Sequence, residues 1–268
     1  MSIRVGIIGC GKIAQIRHIP EYAANPNAEV YGFYDINIAR AEELARNHGG
    51  KAYSSYQELL ADPEIDAVSV CTWNAAHAPC TIAALKAGKH VLCEKPMAMN
   101  AKEAQEMADT AKECGKLLMI GFVRRHGNDA KIVREFIDSD YFGEMYYAKA
   151  TYLRRNGNPG GWFGNKVLSG GGPLIDLGVH VIDLVRFMMG NPKPVSVYGA
   201  TFQKLFDRPD IKATKEYRSA GASDKDICNV EDLASAMIRF DNGAVIQLET
   251  SYSVNDTPKS GLTLCGTK

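Results

Sequence analysis

The chain has 268 residues, which at about 150 residues per domain allows one large domain or two modest ones. Its 31 Lys and Arg balance 31 Asp and Glu, so no surplus of positive charge is available to hold a nucleic-acid backbone. With apolar residues at 46% and charged residues at 23%, disorder, collagen and coiled coil are excluded as descriptions of the whole chain.

No uninterrupted apolar run reaches the roughly 18 residues that a bilayer crossing needs, and this predicts a protein that is not in the membrane. The apolar start reads as a strand, because no small-residue cleavage site follows it. Cys10, Cys71, Cys80, Cys93, Cys114, Cys228 and Cys265 are odd in number and scattered, with no C-x-x-C pair. That pattern disfavours a disulfide framework or a zinc ribbon and points to a reduced, cytoplasmic protein.

Short β-rich runs and helical stretches alternate over the first 120 or so residues. Strands are predicted at 3–9, 29–35, 67–71, 90–93 and 117–121, apolar at nearly every position as in a parallel sheet buried on both faces. Helices are predicted near 12–24, 38–48, 56–61, 75–87 and 101–114. Ser55 with Glu58 and Asn100 with Glu103 have capping-box spacing. Gly88 and Gly115 fall where a left-handed residue ends a helix. Strand–helix alternation implies a doubly wound α/β domain. Beyond residue 122 the pattern changes: a helix over 128–138, a strand near 144–154, a glycine-rich loop over 157–172, and a helix from Pro173 to Met189. Four β-rich runs follow, at 195–203, 232–240, 244–253 and 261–265, and Asp241-Asn242-Gly243 signals a hairpin with a type I′ turn. The polar stretch 207–226 reads as a surface excursion. The expected architecture is an N-terminal Rossmann domain with a doubly wound parallel sheet (1–122). A C-terminal α+β domain with an open, mainly antiparallel sheet (123–268) completes it.

Gly9-Cys10-Gly11-Lys12-Ile13-Ala14 is a G-x-G-x-x-A fingerprint that leaves a strand and opens a helix. Gly9 permits the tight turn, Gly11 a close approach of backbone to a pyrophosphate, and Ala14 close helix–strand packing. Asp35 ends the second strand, where its carboxylate can bind a ribose 2′-hydroxyl and repel a 2′-phosphate, so NAD is favoured over NADP. Arg40, five residues on, would support a 2′-phosphate if it turned back; a place on the helix surface is the competing expectation. Thr72, Trp73, Asn74 and His77 follow a buried strand and should border the nicotinamide, unless His77 only caps the next helix. Trp162 would either cover the cofactor or simply pack.

Two segments should carry chemistry. Glu94-Lys95-Pro96 ends a buried strand, and Pro96 forces Lys95 into extended or turned backbone. Lys95 is then either a partly desolvated group facing the cofactor or a solvated surface lysine. Asp176, His180 and Asp183 stand at i, i+4 and i+7 on an otherwise apolar helix, where they would share a face. His180 could exchange a hydroxyl proton with Asp176 orienting it; a satisfied core histidine or a metal site are the alternatives, and no metal is expected. Asp183 reads as structural. Arg124 and Arg125 could hold a hydroxylated or anionic substrate.

The G-x-G-x-x-A motif at 9–14, Glu94-Lys95-Pro96, and Gly-Gly-x-x-x-Asp-x-Gly-x-His at 171–180 together resemble the Gfo/Idh/MocA family of NAD(P)-dependent oxidoreductases along the whole chain. The resemblance implies that Lys95, Asp176 and His180 form a catalytic set, with the histidine as acid–base and the lysine on the reacting oxygen. The expected cofactor contacts are Gly9, Gly11, Lys12, Ile13, Asp35, Arg40, Thr72, Trp73, Asn74, His77, Glu94, Lys95 and Trp162. Substrate contacts would come from Lys95, Arg124, Asp176 and His180. Thr72-Trp73-Asn74 is similar to the family's Thr-Pro-Asn loop, with Trp73 in place of proline. Residues 121–125 resemble a segment of inositol dehydrogenases and suggest a sugar or cyclitol. The expected activity is hydride transfer between NAD and a secondary alcohol, in a homo-oligomer. A glycoside hydrolase or lyase acting through transient oxidation, and a non-enzymatic dinucleotide-binding regulator, are the rival readings. Family members usually continue past Lys268, so the chain is expected to be shortened at its C-terminus.

Overall fold

Strands buried on both faces need hydrogen-bond partners on each side, and the apolar runs of the first 120 residues supply them to one another. The computed structural model describes residues 2–205, 218–223 and 225–268, and the chain divides into two units, Met1–Gly121 and Phe122–Lys268. In the first, β1 (Ile3–Ile8), β2 (Ala28–Tyr34), β3 (Lys51–Ala52), β4 (Ala67–Val70), β5 (His90–Cys93) and β6 (Leu118–Ile120) make one sheet in the order β3-β2-β1-β4-β5-β6. Every pairing is parallel. The order reverses between β1 and β4, the switch point at which doubly wound sheets bind nucleotides. Side-chain alternation along β1 feeds two cores: Val5 and Ile7 pack with Phe33, Ile19 and Leu44, whereas Ile8 packs with Val70, Leu85 and Met107.

The helices are α1 (Ile19–Ala24), α2 (Ile38–His48), α3 (Tyr56–Ala61), α4 (Asn74–Lys86) and α5 (Ala101–Glu113). Their signals act as expected. The Glu58 N–H donates to Ser55 Oγ at 3.1 Å, and the Glu103 N–H to Asn100 Oδ1 at 3.0 Å. Two differences stand out. The two-residue β3 is too short to leave a pattern, and the expected helix over 12–24 widens into a π-helical turn at Ala14–His18 before α1.

The second unit contains α6 (Asn128–Asp138), β7 (Tyr147–Leu153), α7 (Lys166–Ser169), α8 (Val179–Met188), β8 (Pro194–Phe202), β9 (Leu233–Phe240), β10 (Val245–Ser251) and β11 (Lys259–Cys265). The sheet order is β11-β7-β10-β9-β8, with only β10–β7 parallel. Leu177, Val181 and Val185 pack against Ala148, Ala150, Ile246 and Leu248 to form the core. The glycine-rich loop carries a 3₁₀ turn at Gly161–Gly164 as well as α7, and a second π-helical turn, Leu174–Gly178, leads into α8. The hairpin at 241–243 is present but is not type I′. Gly243 has φ +86° whereas Asn242 does not enter that region, and Phe240 pairs with Ala244 across three loop residues. A type I turn followed by a left-handed glycine closes such a loop. Most of the polar stretch at 207–226 lies outside the described residues.

Residues Lys166–Met188 are long and apolar enough to pass for a membrane span by length and composition, although Asp176 and Asp183 interrupt the apolar run, and half of that window is buried. Gly170, at φ +82°, separates α7 from the helix that begins at Pro173.

Candidate active site

In the first unit the fingerprint loop is built by glycine geometry. Gly9 has φ +93°, and a Cβ on it would stand 2.8 Å from the Cys71 carbonyl, so no other residue makes this turn. A Cβ on Gly11 would meet no protein atom within 4 Å, which leaves that side of the backbone open to a ligand. Ala14 is fully buried, with Lys12 and Ile13 half-exposed beside it. Asp35 is buried; its carboxylate accepts the Cys10 N–H at 2.8 Å and the Asn37 N–H at 2.8 Å. Arg40 does turn back: its Nη1 stands 3.2 Å from Asp35 Oδ2, drawn to a buried carboxylate that needs a counter-charge. Burial and the Asp35 charge push the Cys10 thiol up to about 12, so it stays protonated. A pyrophosphate on the open loop and a ribose beside Asp35 fit this arrangement.

The turns after β4 and β5 are tied together by His77. It is 1% exposed inside α4, with Nδ1 2.7 Å from the Pro96 carbonyl and Nε2 3.2 Å from the Thr72 carbonyl. Burial lowers its pKa, against the opposing pull of the two carbonyls. His77 therefore neither caps the helix nor reaches toward a ligand; it holds the Thr72-Trp73-Asn74 turn to the turn bearing Lys95. Trp73 is half-buried and Asn74 buried. Lys95 is half-buried and joined to Pro96 by a cis peptide.

Glu94 is buried, with Oε1 2.9 Å from His18 Nε2 and Oε2 accepting the Lys95 N–H at 3.1 Å. Burial alone would raise the Glu94 pKa, but the His18 hydrogen bond and the charges of His18 and Lys95 hold it below the usual carboxylate value. His18 Nδ1 lies 3.2 Å from Ser69 Oγ, which is 2.7 Å from Tyr22 OH. His18, Ser69 and Tyr22 escape sequence reasoning. The available signal was that His18 stands four residues after the inward-facing Ala14, on the same helical face.

In the second unit Asp176 sits in the π-helical turn, buried, and accepts a hydrogen bond from Tyr252 OH at 2.9 Å. Burial, with the Asp176 charge, holds the Tyr252 hydroxyl well above its ordinary pKa, so it remains a donor. His180 follows in α8, half-buried. Asp183 turns to a different partner: Arg125 Nε donates to its Oδ2 at 2.7 Å and Nη2 to its Oδ1. This corrects the expectation that Arg125 could hold substrate and accounts for Asp183 as structural. Arg124 places its guanidinium 4.7 Å over the Tyr152 ring and lines a cavity of about 380 Å³ with Val181, Leu184 and Phe142. Trp162 is half-buried and stacks on Phe163, ring centres 3.9 Å apart. Glu231, not singled out in the sequence, accepts the Gly172 and Leu174 N–H groups at 2.9 and 3.1 Å where the helix begins. Among the described residues no group of three or more His, Cys, Asp and Glu is arranged to hold a metal ion.

Two family models match the chain. The NAD-binding Rossmann fold of the GFO/IDH/MocA oxidoreductase family covers residues 3–122, and the GFO/IDH/MocA C-terminal domain covers 131–268. The chain is 38% identical to the D-glucoside 3-dehydrogenase of Escherichia coli (strain K12), over 99% of this chain and 75% of that protein. It is 30% identical to the levoglucosan dehydrogenase of Pseudarthrobacter phenanthrenivorans, over 95% of this chain and 68% of that protein. Among solved structures, a levoglucosan dehydrogenase in complex with NADH and levoglucosan superposes with a TM-score of 0.84 at 27% identity, covering 100% of this chain and 71% of that one. GenD2 from gentamicin A biosynthesis, in complex with NAD, gives 0.83 at 25% identity, covering 99% and 70%. The chain is an NAD-binding enzyme that belongs to the Gfo/Idh/MocA family of oxidoreductases.

Proposed function

We propose that this enzyme is a dehydrogenase that oxidises a secondary alcohol of a sugar, sugar derivative or cyclitol. The observation that carries the reading is the buried Tyr252–Asp176 hydrogen bond on the helical turn before His180. A carboxylate fixed in this way orients a neighbouring imidazole and stabilises it when protonated. His180 takes the hydroxyl proton, Asp176 orients His180, and Lys95 stabilises the developing oxyanion. Bound NAD supplies the hydride acceptor. The backbone of the turn after Gly11 holds the pyrophosphate, and Asp35 holds the ribose hydroxyls, its charge disfavouring a 2′-phosphate. Lys12, Ile13, Thr72, Trp73, Asn74 and Trp162 complete the cofactor contacts and Arg124 contacts substrate, whereas Glu94, with one oxygen on His18 and the other on the Lys95 N–H, is engaged within the protein.

The names of the relatives support the substrate class, since one is a D-glucoside 3-dehydrogenase and the other a levoglucosan dehydrogenase. The free cysteines suit the cytoplasm. Exposed Val195, Val197, Tyr198 and Phe202 on β8 suit association with a second copy.

The test is NADH formation by the purified protein with NAD and methyl β-D-glucoside, levoglucosan or myo-inositol. A substrate-dependent rise that His180→Ala abolishes is expected. Cleavage of the glucoside with no accumulation of NADH would overturn the reading in favour of transient oxidation.

A further inference from the structure

The first unit contains a buried polar chain that the proposed chemistry does not use. His18 lies at the end of the π-helical turn that the fingerprint loop opens, and Glu94 directly precedes Lys95. The two side chains meet at 2.9 Å, 76 residues apart in sequence and both buried. A carboxylate only accepts hydrogen bonds, so His18 Nε2 carries the proton of this bond. The other Glu94 oxygen accepts the Lys95 N–H, and so the carboxylate bridges the nucleotide helix and the lysine's own backbone. Ser69, on β4, holds the far side of the imidazole, and Tyr22 holds Ser69. A buried ion-pair-like contact is a costly way to gain stability, because an apolar pair of the same shape often does as well. Its worth here lies in direction: it joins the segment that receives the dinucleotide to the segment that presents the lysine.

We propose that His18 and Glu94 are positioning residues that couple the dinucleotide-binding helix to Lys95, so that an occupied fingerprint loop fixes the Lys95 backbone. The proposal rests on the reading of Lys95 as the group that meets the reacting oxygen. Neither residue touches the substrate; both act through Lys95. Glu94 is the necessary link, since its two oxygens face the two segments separately. His18 is replaceable in part by glutamine, whose amide can still donate to Glu94.

Two measurements test this. The first follows hydrogen exchange at the Lys95 amide with and without NAD, in the wild type and in His18→Ala. NAD is expected to slow exchange about tenfold in the wild type and by less than about twofold in the variant. Equal slowing in both would overturn the coupling. The second compares kcat for methyl β-D-glucoside oxidation in Glu94→Gln, Lys95→Ala and the double variant, with NAD affinity by titration. Glu94→Gln is expected to lower kcat about tenfold with NAD affinity within about threefold, to cost almost nothing further once Lys95 is gone, and His18→Gln to exceed His18→Ala in kcat. A Glu94→Gln loss of equal size with and without Lys95 would show a merely structural role. If Lys95→Ala turns over like the wild type, the assignment of Lys95 fails, and the exchange measurement still decides the coupling.

Discussion

Replacing Tyr252 with phenylalanine removes one atom from the second unit and isolates a single hydrogen bond. Tyr252 is 1% exposed, and its hydroxyl donates at 2.9 Å to an Asp176 carboxylate that is itself 8% exposed. Water does not replace the lost donor freely at that depth, so the loss is that of a hydrogen bond to a charged group, about 2 kcal/mol. The ring remains and fills its place, so the cavity contribution is small. At roughly 2–4 °C per kcal/mol for a protein of this size, the melting temperature should fall by about 4–8 °C. If the whole of that energy serves to hold Asp176 against His180, kcat falls by up to about 30-fold at a tenfold loss per 1.36 kcal/mol. The loop that receives NAD belongs to the other unit, so NAD affinity should stay within about twofold of the wild type. Thermal melting followed by circular dichroism, steady-state kinetics with NAD and methyl β-D-glucoside, and NAD titration measure the three quantities. An unchanged melting temperature with unchanged kcat would show that the bond neither stabilises the turn nor orients Asp176, and would refute the reasoning.

The two fingerprint glycines should separate in their effects. Gly9→Ala combines φ +93° with a Cβ 2.8 Å from the Cys71 carbonyl, so about 1–3 kcal/mol of stability should be lost together with NAD binding. Gly11→Ala meets no protein atom within 4 Å, so its melting temperature should match the wild type while NAD affinity falls at least about tenfold; a destabilised Gly11→Ala would contradict this. Glu94 gives a pH dependence. Its carboxyl is held below the ordinary value of 4.5 in the folded state, so the unfolded chain takes up the proton first as pH falls. The stabilisation from the ionised carboxylate is therefore complete well above pH 4.5 and is lost as pH drops through the folded value. The stability gap between wild type and Glu94→Gln in urea should narrow from about pH 7 to about pH 4, and a constant gap would refute the assignment. Arg125→Met leaves the buried Asp183 carboxylate without its forked partner. Because the Arg125 side chain is about a third exposed (32%), the expected loss is about 2 kcal/mol, less than for a fully buried pair, as read by urea denaturation.

Much of the fold was legible because its signals are local. Apolar runs over 3–8 and 90–93 could only be strands of a sheet covered on both faces, and the caps at Ser55 and Asn100 act within three residues of themselves. The G-x-G-x-x-A loop is equally local, since a left-handed turn at Gly9 and an inward Ala14 follow from neighbouring residues. The hairpin at 241–243 was legible as a hairpin, but its turn type was not. Asn-Gly permits both a two-residue and a three-residue loop, and the register of β9 on β10 selects between them.

The partners of the polar side chains belong to the tertiary structure. His18 finds Glu94 and Asp176 finds Tyr252 across 76 residues each, and Arg125 finds Asp183 across 58. The spacing of Asp176, His180 and Asp183 suggested one shared face, yet the two aspartates serve different partners, one from the end of the sheet strand β10 and one from the turn before α6. Both π-helical turns fall in segments that carry motif residues, and no local pattern announces the extra residue they take up. A side chain's chemistry can be read from its type, but its partner depends on strand order, register and the backbone path between elements. The chain therefore disclosed its family and its reactive groups in one dimension, whereas the contacts that hold those groups in place arise only where distant segments are packed together out of water.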